Sequence, residues 1–235
     1  MPGAPLNRIL LKLSGESLKG KREFGIDHDI LEYLVTEVSE AAASGTQISL
    51  VLGGGNIVRG ADHAERQSTD YAGMMATIIN GIFMYNTFTR RGAEVRMQST
   101  FRIPEVAEEF IPRRAIRHME LERLVIFVGG TGLPLMSTDT AAALRAVEIN
   151  ADALLMAKYA IDGVYDADPK TTPDARKLDA TTYRDIMSKR LKVMDGTAAS
   201  LCLENKLNAV VFDIFKPGNL LKLVRGERVG TTISH

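Results

Sequence analysis

The chain has 235 residues, 45% hydrophobic and 25% charged, a balance that suits one large α/β domain or two small lobes and excludes a low-complexity protein. Lysine plus arginine and aspartate plus glutamate each total 29, so no net field draws the chain onto nucleic acid or a membrane, and any anion must be held locally. The single cysteine, Cys202, rules out an internal disulfide framework, and neither it nor the four histidines show ligand-like spacing, so no metal site of the chain's own is expected.

In chain order, residues 8–13 and 47–52 read as short strands. Between them, 27–44 carries apolar residues at helical spacing, with Asp27 as N-cap and Gly45 as the stop. A helix is expected over 70–91, with Tyr71, Met74, Met75, Ile78, Ile79, Ile82 and Phe83 as its core-facing stripe. Strands follow at 94–98, 123–128, 153–157 and 209–212, and helices at 138–149, 181–189, 198–206 and 219–224. The polar, proline-containing stretch 166–179 reads as a long loop. This alternation predicts an α/β/α sandwich around a mostly parallel sheet, as one domain over 1–235. Apolar runs such as 124–128 stop far short of the roughly 20 residues of a membrane helix, and the opening MPGAPLNR lacks a charged-then-apolar leader, so a cytoplasmic protein is expected.

Ligands of open α/β sheets bind beyond the carboxyl ends of the strands, and glycine-rich turns fall at three such places. They are Ser14-Gly15, Gly53-Gly54-Gly55-Asn56 and Gly129-Gly130-Thr131-Gly132, where bare amides can surround an anion. Lys12, inside an apolar strand, and Arg59 can bring positive charge to the same rim. Familiar nucleotide signatures are absent: there is no G-x-x-x-x-G-K-[ST] loop, no completed G-x-G-x-x-G, and no kinase H-R-D or D-F-G.

Several segments together resemble, in order and spacing, the amino-acid kinase superfamily, most closely its UMP-phosphorylating branch. They are RILLKLSGE at 8–16, Gly53-Gly54-Gly55-Asn56 with Arg59-Gly60, DYAGMMATIING at 70–81, and Gly130-Thr131-Gly132 with Ser137-Thr138-Asp139. DGVYDADP at 162–169 and LKVMD at 191–195 complete the set, so the resemblance spans essentially the whole chain. It implies transfer of the ATP γ-phosphate to UMP, giving UDP and ADP, with Mg²⁺ carried with ATP, in the pyrimidine pathway towards CTP and in a homohexamer. It also implies an acceptor-binding half over 1–150 and an ATP-binding half over 151–235.

On matching positions, the resemblance places Lys12, Leu13, Ser14, Gly15, Gly55 and Arg59 at the ATP phosphates, and Tyr159, Tyr165 and Asp168 at the ATP nucleoside. Gly54, Asp70, Thr131, Gly132, Leu133, Pro134, Leu135, Met136, Ser137 and Thr138 would hold UMP, with Asp70 on the ribose. Where the family commonly reads T-G-N-P and an aromatic pair, this chain has Leu133, Leu135 and Met136, and Tyr159 stands where relatives often carry a small polar residue. Gly20-Lys21-Arg22-Glu23-Phe24-Gly25 resembles the stretch linked in the family to activation by GTP, and inhibition by UTP is a family trait.

An acceptor phosphate with a second pKa near ~6 is already ionised at neutral pH, so no general base is required. The obstacle is mutual repulsion, about 4 kcal/mol for charges ~4 Å apart at an effective dielectric of ~20. Lys12 and Arg59, the glycine amides and Mg²⁺ are expected to offset it, with Lys12, Arg59 and Asp139 as the catalytic set. Asp139 reads as an organiser of lysines or Mg²⁺, with a helix-dipole partner as the alternative. Lys158 reads either as a second cation at the transferring group or as a solvated loop lysine, and the role of Asp195 stays open. Arg113, Arg114 and Arg117 read as a solvated helix face, with an effector phosphate site as the alternative. Two rivals stand beside this reading: another acid-group kinase of the superfamily, and a non-catalytic nucleotide-binding or storage homologue.

Overall fold

A computed structural model of the chain describes residues 3–58, 66–159, 161–167, 171–172, 174–191 and 193–235. Its strands are β1 (Arg8–Leu13), β2 (Gln47–Leu52), β3 (Val95–Ser99), β4 (Glu108–Glu109), β5 (Leu124–Val128) and β6 (Ala153–Lys158). Then come β7 (Val164–Tyr165), β8 (Lys177–Leu178), β9 (Ala180–Thr182), β10 (Asn208–Asp213) and β11 (Thr231–Ser234). The helices are α1 (Gly15–Leu18), α2 (His28–Ala42), α3 (Arg66–Arg90), α4 (Pro112–Glu120), α5 (Thr138–Glu148), α6 (Tyr183–Ser188), α7 (Gly196–Glu204) and α8 (Asn219–Val224).

Among the described residues a nine-stranded sheet runs in the order β4-β3-β5-β2-β1-β6-β10-β11-β9. All its pairings are parallel except β10 with β11. The central strand β1 pairs with β2 on one side and β6 on the other, so one sheet runs through both halves of the sequence. β1 occupies the middle because 9–13 is buried throughout, as a strand covered on both faces must be.

Alternation along β1 sorts its side chains to opposite faces. Ile9, Leu11 and Leu13 join a core with Leu31, Leu34, Val35 and Val38 of α2, Met84 and Phe88 of α3, and Leu220 and Leu223 of α8. Leu10 joins the opposite core with Ala115 and Met119 of α4, Ala142, Ala143 and Ala146 of α5, and Ala198, Ala199 and Cys202 of α7. Lys12 shares the face of Leu10 and therefore points towards α5 and α7.

Several expectations are corrected. The stripe assigned to α3 is split, for Met74 and Ile78 are buried while Tyr71, Met75, Ile79 and Phe83 are 39% to 44% exposed. The inward face is instead small and polar, with Ala76, Thr77 and Asn80 all buried. At Gly81 a Cβ would lie 2.4 Å from Val128 Cγ1, so this glycine lets α3 rest directly on β5. The stretch 166–179 is not wholly loop, because Tyr165 pairs with Lys177 and Val164 with Leu178 in a two-stranded sheet. Residues 181–189 begin as strand, and Thr182 then caps α6 by accepting a hydrogen bond from Asp185 N. Helix α1 and the sheet edge formed by β11 and β9 were not anticipated as elements, whereas α4 carries the helix face read at Arg113, Arg114 and Arg117.

Candidate active site

Two of the three glycine turns interlock. A Cβ on Gly15 would lie 2.5 Å from Gly55 N, 2.7 Å from Asn56 Oδ1 and 2.8 Å from Gly53 O. One on Gly53 would lie 2.7 Å from Gly15 N. Parallel pairing of Leu13 with Leu52 brings the two turns to the same rim, and Gly53 N donates to Leu13 O at 2.9 Å. Gly54 rests on α3, since a Cβ there would meet Gly73 O at 2.4 Å. Ser14 caps α1, its Oγ accepting from Ser17 N at 3.2 Å. Arg59 and Asp168, both expected here, lie outside the described residues.

Lys12 is only 6% exposed. Its Nζ lies 2.8 Å from Asp139 Oδ1, at the start of α5. That oxygen receives no well-aligned hydrogen bond from the described residues, so charge alone holds the pair and the carboxylate keeps capacity for another partner. Asp139 thus stands in the first turn of a helix and faces the Lys12 ammonium.

Lys158 is no solvated loop lysine. It ends β6 on the same face as Lys12, and its Nζ donates to Val193 O at 3.1 Å. Burial pushes its pKa below the usual lysine range and the nearby Lys12 pushes it further down, while Asp139 pulls it back up. Lys12 and Lys158 thus come together around the Asp139 carboxylate in a poorly hydrated place. An anion stabilises such an arrangement.

Asp195 is a brace. It caps α7 by accepting from Ala198 N at 2.9 Å and from Thr140 Oγ1 at 3.1 Å, and Ser137 Oγ also donates to it. Ser137 in turn caps α5, accepting from Asp139 N at 3.0 Å. The start of α5, with Asp139 on it, is therefore fixed to the start of α7.

The third glycine turn lies under the N-terminal part of α3. Gly129 N donates to Thr77 Oγ1 at 2.8 Å, and Gly130 packs against Met74. Gly129, Gly130 and Gly132 all have positive φ, as does Leu135 at 67°. Thr131 Oγ1 donates to Leu133 O and accepts from Leu133 N, both at 3.1 Å, closing a short turn before Pro134. Asp70 Oδ2 accepts from Leu135 N at 2.8 Å, so Asp70 and the 131–138 segment do meet. Leu133, Leu135 and Met136 are 59%, 53% and 42% exposed, leaving backbone groups as the polar contacts on offer. Arg145, 5% exposed, supports this turn from α5 by donating to Thr100 Oγ1 at 3.0 Å while its guanidinium lies over the Phe110 ring.

Beyond the ends of β6 and β10, Tyr165 OH donates to Asp162 Oδ1 at 2.8 Å, and Lys177 and Lys216 both lie 3.4 Å from Asp162 Oδ2. Burial raises the Asp162 pKa, but the Tyr165 hydrogen bond and the two lysines outweigh it and hold the carboxyl below its usual value. Tyr159 is 52% exposed and meets the Phe215 ring edge-on at 5.0 Å. Of the stretch Gly20, Lys21, Arg22, Glu23, Phe24 and Gly25, Phe24 is 77% exposed, whereas Gly25 N donates to Asn56 O at 2.7 Å in the second glycine turn. Arg113, Arg114 and Arg117 are exposed on α4, as a solvated face requires. Sequence reasoning missed the roles of Asp162, Arg145 and Asn80, which meet Lys216, Thr100 and Asn56 from distant parts of the chain. Among the described residues no group of three or more His, Cys, Asp or Glu is placed to hold a metal ion, and no helix is long and apolar enough to cross a membrane.

Residues 7–213 match the model of the amino acid kinase family. A uridylate kinase of Rubrobacter xylanophilus is 50% identical over 97% of this chain and 92% of its own length. One from Limosilactobacillus reuteri is 48% identical over 97% and 96%. Among solved structures, the UMP kinase of Bacillus anthracis superposes with a TM-score of 0.95 at 35% identity, covering 98% of this chain and 96% of its own. That of Ureaplasma parvum gives 0.90 at 36%, covering 97% and 99%. With the nine-stranded, mostly parallel sheet, the interlocked glycine turns and the Lys12–Asp139 pair at their rim, these likenesses make the chain a member of the amino acid kinase family, on its uridylate kinase branch.

Proposed function

We propose that the chain is a UMP kinase, transferring the γ-phosphate of ATP to UMP to give UDP and ADP in pyrimidine nucleotide synthesis. The observation that carries this reading is the buried Lys12 ammonium at 2.8 Å from Asp139, beside the Gly15 and Gly53 to Asn56 turns. A fixed cation next to bare amides serves a reaction whose barrier is repulsion between two polyanions. Lys12 and Lys158 attract the phosphates and meet the charge that develops on the transferring group, and Asp139 keeps the two ammonium groups together. Arg59 adds a further cation.

The acceptor half is 1–150, with Gly54, Asp70 and 131–138 on UMP. The ATP half is 151–235, with Tyr159, Tyr165 and Asp168 at the nucleoside, while Leu13, Ser14, Gly15 and Gly55 of the first half reach the phosphates. Mg²⁺ enters with ATP and shares in neutralising its phosphates; Asp139, with its underused Oδ1, is the residue that would meet it. The exposed row Tyr71, Met75, Ile79 and Phe83 at four-residue spacing along α3 suits burial between copies of the chain, in keeping with a homohexamer. GTP as activator and UTP as inhibitor follow from the family resemblance, and a cytoplasmic location suits the substrates.

The test is ADP release from Mg·ATP with UMP, CMP, dUMP, acetylglutamate, aspartate or carbamate as acceptor. UMP is expected to give the highest kcat/KM by at least tenfold. Absence of UMP-dependent ADP release overturns the reading.

A further inference from the structure

Asn56 and Asn80 form a buried amide pair whose outward donors grip two different turns. Asn80, on α3, is fully buried, and Asn56 is 2% exposed. Asn80 Nδ2 donates to Asn56 Oδ1 at 2.7 Å, and Asn56 Nδ2 donates to Asn80 Oδ1 at 2.9 Å. The remaining N–H of Asn80 goes to Gly53 O at 2.7 Å, and that of Asn56 goes to Gly25 O at 2.9 Å. All four N–H groups of the pair are used, and both side-chain orientations are forced, since each must aim a donor at a carbonyl.

The pair also fixes the first glycine turn. A Cβ on Gly15 would lie 2.7 Å from Asn56 Oδ1, so Gly15 seats against the oxygen that Asn80 holds still. Gly25 is tied twice, by its carbonyl to the Asn56 side chain and by its N–H to Asn56 O.

We infer that Asn80, through its reciprocal pair with Asn56, is a positioning residue for phosphoryl transfer, holding the Gly53 to Asn56 turn against Gly15 in the shape that presents its amides to the nucleotide phosphates. This rests on the UMP kinase reading. Asn80 itself touches neither nucleotide. A turn no longer held at Gly53 O would still bind phosphate but place it imprecisely, and small misplacement at a transferring group is costly in rate rather than in binding.

The experiment compares Asn80→Asp with the parent protein and with Met84→Ala, which removes buried volume from the same helix away from the turns. Asn80→Asp keeps the shape but loses both donors while ionised, and once protonated it regains one for Gly53 O. The hydrogen-bond partners of Asn80 are amides and a carbonyl, none titratable. Expected are a kcat at least tenfold below the parent at pH 8.5, KM values for ATP and UMP changed less than threefold, and a deficit that shrinks severalfold by pH 6. The losses from Asn56→Ala and Asn80→Ala should fall well short of adding in the double variant.

A kcat within twofold of the parent across this range, or an equal deficit in Met84→Ala matched for melting temperature, overturns the inference. Should Asn80→Asp fail to fold, Asn80→Ser carries the same kcat comparison. A parent protein that releases no ADP with UMP would instead defeat the underlying reading.

Discussion

Replacing Lys12 by methionine keeps a long stem in the strand while deleting the ammonium. A cation ~4 Å from a phosphate oxygen, at an effective dielectric of ~20, contributes about 4 kcal/mol. Lys12 is 6% exposed, so water screens it little, and losing that contribution from the transition state lowers kcat by about a thousandfold. The substitution also strands the carboxylate of Asp139, whose Oδ1 sits 2.8 Å from the lost group. Lys158 still faces Asp139, so the destabilisation should be modest and the fold retained. Steady-state ADP release with UMP and ATP varied separately gives kcat and both KM values, and a thermal melt gives stability. Adding Asp139→Asn should recover melting temperature without recovering kcat. A Lys12→Met protein that is folded and turns over within tenfold of the parent rate would refute the electrostatic role.

Asp70→Ala should raise KM for UMP by about tenfold with a smaller effect on ATP, because Asp70 holds Leu135 N in the turn proposed to hold UMP; equal changes for both substrates would refute that assignment. Burial raises the Glu37 pKa above its ordinary value of 4.5, against the opposing Gly218 N–H. Its contribution to stability is therefore fully present below pH 4.5 and lost as pH rises through the folded-state value. Glu37→Gln should raise the melting temperature at pH 7, with a gain that vanishes as pH falls below 4.5, and melts across that range check it. Cys202 is fully buried, with burial pushing its thiol up to about 11, so it should react with a thiol reagent at pH 8 only at the rate of unfolding.

The central strands were legible because continuous apolar runs bounded by glycine leave little choice, and β1 and β2 fall at the expected residues. The facing of α3 was not. Its densest apolar row lies outward, while the face against the glycine turns is built from Ala76, Thr77, Asn80 and Gly81. Counting hydrophobic residues finds the wrong side when a helix docks closely onto backbone, where bulk is excluded and amides are useful. Lys12 and Asp139 were both singled out from sequence, and the fold brings them within 2.8 Å of each other. Lys158 and Asp195 could not be settled, because their partners Val193, Thr140 and Ser137 meet them only once β6, α5 and α7 are assembled. The short strands β9 and β11 carry too few residues to show a period.

Gly15 and Gly53 each occupy space that a methyl group on the other's turn would need. Neither turn can therefore be exchanged alone with one from a distant relative; a chimera would have to carry both, together with the strand alignment that sets them opposite each other. The same dependence means that slippage of β1 against β2 by a single residue would pull Gly15 out of register with Gly53 and undo the interlock.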